Sequence, residues 1–136
     1  NRQLNNKLKI RKIMKPVKTK TTDVPLITER GGTIRVLISP KTVESSQFIL
    51  GVSTLEVDGE IRNHLHDFSH EAFYVIQGEG LVLFSEHEAI FFGPGDAVHI
   101  PKGVAHQIKN TGKEEIRVVF TASPLAPSPE MGHREL

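Results

Sequence analysis

The sequence has no cysteine, no tryptophan and a single tyrosine in 136 residues. Without cysteine there is no disulfide scaffold, no thiolate-ligated zinc and no thiol nucleophile. No apolar run approaches the roughly 20 residues that a membrane-spanning helix needs, so no membrane partner is expected. Acids are missing from residues 1–20, which carry eight Lys/Arg, while residues 21–136 hold nine bases and all sixteen acids. The formal net charge of +1 is thus the sum of +8 over residues 1–20 and −7 over residues 21–136. An acidic body argues against nucleic acid as a partner. The arm lacks the apolar core and small-residue cleavage site of a secretory signal, and a cytoplasmic location is expected.

What is present divides into three parts: a basic arm over 1–24, a body over 25–122 and a proline-rich tail over 123–136. The arm, broken by Pro16, reads as a solvated tail. Its Leu4, Leu8, Ile10, Ile13 and Met14 also fit a short amphipathic helix or a strand lent to a partner subunit.

The body is a train of short β-rich runs. Thr33–Ile38 and Gln47–Val57 come first, then Glu60–His66, Glu71–Gln77, Gly80–Ser85, Ala89–Phe92, Asp96–Ile100, Val104–Asn110 and Glu115–Ala122. Between them lie Asp58-Gly59, Gly78-Glu79-Gly80, Gly93-Pro94-Gly95, Pro101-Lys102-Gly103 and Asn110-Thr111-Gly112, all turn-forming. No long stretch shows a 3.6-residue apolar period. One all-β domain is expected, an antiparallel sandwich or barrel. In Gln47–Val57 the alternation Phe48, Leu50, Val52 predicts an inward wall, with a slip near Leu55.

Six of the seven histidines lie in this β-rich body and make it specific. His64 and His66 stand two apart in a strand-like run, so both side chains leave from one face and can reach one metal ion. Glu71 follows beyond a short loop, and His106 lies forty residues on. Three imidazoles and one carboxylate suit a divalent transition metal, with zinc, iron, manganese, nickel and copper all compatible. Strand alternation also places Arg62 on the face of His64 and His66, making it a candidate substrate anchor. Phe73 and Val75 share the face of Glu71, and Ile108 that of His106. His70, between two candidate ligands, is a candidate acid/base or supporting group. His87 reads as a surface turn residue and His99 as structural or outward-facing.

The segment Gly59-x4-His64-x-His66-x4-Glu71-x6-Gly78 resembles the first cupin motif, one residue short before its first histidine. Gly95-x5-Pro101-x-Gly103-x2-His106-x3-Asn110 is similar to the second motif at every position, and sixteen residues separate the two, as in small single-domain cupins. The resemblance implies a double-stranded β-helix, a jelly-roll barrel, with a metal held inside one mouth by His64, His66, Glu71 and His106. It also implies a homodimer formed by packing or swapping edge strands.

A finer resemblance joins Arg35–Val43 to the ending Val118–His133, whose Pro-Leu-Ala-Pro-Ser-Pro-Glu-Met-Gly-His run is similar to the tail of the cupin cyclases of aromatic polyketide pathways. Asp67 and His70 depart from that group, which usually has Pro and an acidic residue there. The resemblance implies a small organic substrate and aldol-type ring closure assisted by a divalent metal acting as Lewis acid. A cupin dioxygenase with the same ligands, or a cupin that only binds metal or a small molecule, are the competing expectations.

Overall fold

The structure, a computed structural model, describes residues 15–44 and 47–136. The pattern of Leu4 to Met14 therefore lies outside the described residues. Ten strands follow in order: β1 (Thr33–Ile38), β2 (Ile49–Leu55), β3 (Glu60–Leu65), β4 (His70–Gln77), β5 (Gly80–Phe84), β6 (Ile90–Phe92), β7 (Ala97–Ile100), β8 (His106–Asn110), β9 (Ile116–Ser123) and β10 (Arg134–Glu135). They form two five-stranded sheets, ordered β1-β2-β9-β4-β7 and β10-β3-β8-β5-β6. Every pairing is antiparallel. The first nine strands fall on the nine runs expected from the sequence, because turn-forming Gly and Pro punctuate alternating β-branched and aromatic residues there.

Two apolar inner faces meet between the sheets. Leu55, Phe73, Val75, Val82, Phe92, Val98, Ile100, Ile108 and Ile116 are buried as one cluster, with Ile61, Phe84, Val104, Val118 and Phe120 packed against it. Strand alternation correctly groups Phe73 and Val75 inward with Glu71. For β2 it selects the wrong face. β2 pairs with β9 without interruption from Ile49↔Ala122 to Leu55↔Ile116, so no slip occurs at Leu55. Counting back from buried Leu55, the inward set is Ser53, Gly51 and Ile49 rather than Leu50 and Val52, and Phe48 is exposed. Gly51 is inward because the Phe120 ring occupies its side-chain space: a Cβ there would lie 2.6 Å from Phe120 Cζ.

Residues 21–27 and the tail also belong to the barrel. Val24 is buried, Ile27 bridges to Ile34, and the Arg35 guanidinium donates to the carbonyls of Thr21 and Val24. At the other end the tail passes over one barrel mouth and returns as β10 on the edge of β3, pairing Arg134↔Leu65 and Glu135↔His64. Asn110, the last residue of the second motif, is a structural clasp. Its buried side-chain amide donates to the carbonyls of Leu55 and Glu114 and accepts from the Gly112 N–H.

Candidate metal centre and its cavity

Five side chains from four parts of the chain converge at one end of the barrel. His64 comes from β3, His66 from just beyond it, Glu71 from β4, His106 from β8 and His133 from the residue before β10. The rings of His64 and His106 lie 4.1 Å apart, and His133 stacks on His64 at 4.4 Å. The possible donor atoms of His64, His66 and His133 lie within 4.8 Å of one another, as do those of His66, Glu71 and His106. The four residues singled out by motif spacing are thus brought together. His133 joins them from the tail.

Backbone carbonyls fix the imidazoles. Nδ1 of His64 sits 2.7 Å from the Arg62 carbonyl, Nδ1 of His66 2.7 Å from the Gly132 carbonyl, and Nδ1 of His106 2.9 Å from the Val104 carbonyl. Each Nδ1–H therefore donates outward, and the Nε2 lone pair is aimed inward. Nε2 of His66, His106 and His133 is buried without a hydrogen-bond partner among the described residues. His66 Nε2 lies 2.7 Å from Glu71 Oε2, within ion-pairing distance. Buried nitrogens normally find partners. Buried imidazole nitrogens in two overlapping triads that share His66, one of them including a carboxylate, are a donor set that a divalent cation satisfies, so the residues present fit a metal ion.

The electrostatics agree. Burial, reinforced by the neighbouring His106, pushes His64 down to about 3. Burial and then the positive charge of Arg30 push His133 down to about 4. His106 is also lowered, chiefly by burial. These three are neutral at pH 7, the protonation state a metal ligand requires. Burial acts to lower His66 as well, but the adjacent Glu71 carboxylate outweighs it and the pKa is raised. Glu71 is the mirror case: burial acts to raise it, while His66 holds it below the usual carboxylate range.

His64, His66, Glu71 and His133 line a cavity of about 510 Å³, with His106 buried behind them. Its walls include Leu55, Phe73, Phe92, Ile116 and Phe120, and its rim is built from Arg30, Ser39–Thr42 and tail residues 125–129. Residues matching a Cupin domain family cover 51–122, more than half of the chain. The chain is a cupin. Protein SchB of Streptomyces halstedii is 37% identical over 113 residues, covering 82% of this cupin and 80% of SchB. The tetracenomycin polyketide synthase protein TcmJ of Streptomyces glaucescens is 36% identical over 104 residues, covering 76% and 69%. Among solved structures, the polyketide cyclase RemF from Streptomyces resistomycificus superposes with a TM-score of 0.69 at 22% identity, covering 90% of this chain and 86% of RemF. That last likeness is one of fold.

Two residues singled out from the sequence lie elsewhere on this cupin barrel. Arg62 is exposed on the outside, where its Nε and Nη2 donate to Glu135 and Nη2 also to the Glu29 carbonyl. The reason is a register shift between Ile61 and His64. The bulge turns both Ile61 and His64 inward and breaks the two-residue alternation on which Arg62 was grouped with the histidines. His70 is exposed on the outer face of β4, the opposite side from Glu71. Its Nδ1 accepts from the Lys102 N–H at 3.1 Å, and its ring stacks on exposed His99. His87 is exposed near Phe84.

His133 and Arg30 are among the cavity residues not singled out from sequence. His133 was visible as the end of the tail pattern. Arg30 is marked only by the Gly31-Gly32 pair that follows it.

Proposed function

We propose that this cupin binds one divalent transition metal through His64, His66, Glu71 and His106, with His133 of the tail as a further donor, and catalyses ring closure of a small poly-ketone. The observation that carries the metal is the set of buried, partnerless Nε2 atoms converging beside Glu71. Similarity to TcmJ, a tetracenomycin polyketide synthase protein, supports the substrate class. A cation bound there supplies Lewis acidity to a carbonyl group, favouring carbon–carbon bond formation. The chain's own residues do the rest. Apolar walls at Phe73, Phe92, Phe120 and Leu55 fold a flexible substrate so that its reacting carbons meet, and exclude competing water. Glu71 is held ionised, and neutral His64 and His133 present lone pairs at the cavity end, so proton acceptors face the substrate.

The test is elemental analysis of protein purified without added metal, alongside the His106→Ala variant. One metal per chain in the wild type and loss of both metal and activity in the variant are expected. Retention of stoichiometric metal by His106→Ala overturns the ligand assignment. A cyclised product formed without oxygen uptake distinguishes ring closure from dioxygenase chemistry, and metal retention with no turnover of any poly-ketone marks a binding protein. The reading carries a cytoplasmic homodimer as its expected assembly, supported by Tyr74 and Ile76 exposed side by side on the outer face of β4. Light scattering checks it. Among the described residues no helix is long and apolar enough to cross a membrane.

A further inference from the structure

Among the described residues, Arg30 is the one guanidinium that lines the cavity. The other described arginines are engaged elsewhere: Arg35 with the Thr21 and Val24 carbonyls, Arg62 with Glu135, Arg117 with Glu115 and Arg134 with Asp67. Among the described residues no carboxylate lies within ion-pairing distance of Arg30. Its closest electrostatic company is Glu29, Glu135 and Glu71, which attract it from further away, and the last two are already paired with Arg62 and His66. Burial lowers its pKa from the ordinary value. A half-buried cation without a contact partner is costly, and proteins tolerate it where a ligand completes the pair.

Its position is built in. Gly31 and Gly32 both take positive φ, 92° and 60°. A Cβ on Gly31 would fall 2.1 Å from the Glu60 carbonyl oxygen, and one on Gly32 2.2 Å from that of Thr54. The turn is therefore pressed against the backbones of β2 and β3, which only glycine allows, and this closeness fixes Arg30 at the rim. From there its charge reaches His66 and His133, both of which it makes harder to protonate.

We propose that Arg30 is an anion subsite of the cavity, taking the acidic oxygen group, carboxylate or enolate, of a ligand whose remaining body is apolar. The planar, forked guanidinium suits a two-oxygen group, and the phenylalanine-lined walls suit a ring system or folded ketone chain. This deepens the functional reading above and rests on the same cavity being the working site.

The test compares 2-naphthoate with its uncharged counterpart, 2-naphthamide. With no tryptophan in the chain, naphthalene fluorescence reports binding directly. Metal-loaded wild type should bind the acid at least tenfold more tightly than the amide. Arg30→Gln should abolish that preference while leaving amide affinity, metal content and thermal midpoint unchanged, and Arg30→Lys should keep part of it. Equal affinity for acid and amide in the wild type overturns the proposal, as does failure of both to bind. A preference that survives in Arg30→Gln but disappears on chelation also overturns it, showing that the metal reads the anion while the metal centre stands. A preference that depends on Arg30 in protein that never acquires metal supports the subsite and removes the metal centre.

Discussion

Single histidine nitrogens decide what this barrel can hold. Each Nδ1 of His64, His66 and His106 is spent on a carbonyl, so each Nε2 is left as a donor with a fixed direction. His133 has a buried Nε2 as well, but it rides on the tail. His133→Ala should therefore weaken metal binding on the order of tenfold without removing the ion, as read by competition with a chromophoric chelator. Unchanged affinity would show that the tail histidine only covers the site. The depressed pKa values carry a sign for the metal-free protein. His64 and His133 stay neutral in the fold down to about 3 and about 4. Unfolded histidine takes up its proton near 6.5, so below that pH the unfolded state binds more protons. His66, whose pKa is raised, acts in the opposite direction but is outnumbered once His106 is counted. Thermal midpoints of chelated protein should fall as pH drops from about 6.5 towards 4, beyond the fall of a His64→Gln control. A flat profile would contradict the burial of neutral imidazoles. The spacing of His64, His66, Glu71 and His106 made this group legible in sequence, because two-residue alternation and motif glycines constrain where those side chains emerge. Arg62 was misplaced by the same logic, since one bulge reverses the alternation.

At the scale of elements, the tail behaves as a strap. β10 pairs with the edge of β3, the Gly132 carbonyl accepts from His66, the Leu136 N–H donates to the Asn63 carbonyl, and Ser69 Oγ donates to the Pro124 carbonyl. Arg134 grips Asp67 through two hydrogen bonds of 3.0 Å. Asp67 departs from the proline usual in the polyketide cyclase group, and this bidentate pair is what the departure supplies. The pair is exposed, so its contribution to global stability is about 0–1 kcal/mol. Asp67→Ala should thus leave the thermal midpoint within a few degrees while increasing tail cleavage in limited proteolysis several-fold. Equal protection in the variant would assign the tail's attachment to the β3 pairing alone. The turn before β1 makes the opposite case. Gly31→Ala puts a Cβ against a backbone carbonyl at a positive φ, and should cost on the order of 1–3 kcal/mol or more in chemical denaturation.

Over the whole molecule, the charge division meets the packing. Lys15 to Lys20 are largely exposed, but from Thr21 the chain is tied to β1 through Arg35 and buried Val24. Removing residues 1–20 should leave metal content and thermal midpoint unchanged. Removing residues 1–26 should lower both stability and ligand affinity, because Val24 and Pro25 line the cavity. Loss of metal on the shorter deletion would place the basic arm inside the working structure.

The amino-acid sequence by itself determined the nine main strands and the family, and its motif spacing picked out His64, His66, Glu71 and His106 as the residues proposed to hold a metal. Turn-forming Gly and Pro, short alternating runs and fixed ligand spacings are local properties, so they survive without coordinates. Only the tertiary structure decided which face of β2 and β3 looks inward, and which remote segments complete the site. The inward face depends on pairing register, which an unbroken β2–β9 ladder and a single β3 bulge set in opposite ways. Arg30 and His133 stand 103 positions apart in the chain. No periodicity relates them. They meet at one mouth because a glycine turn and a returning edge strand pack against the same end of the barrel.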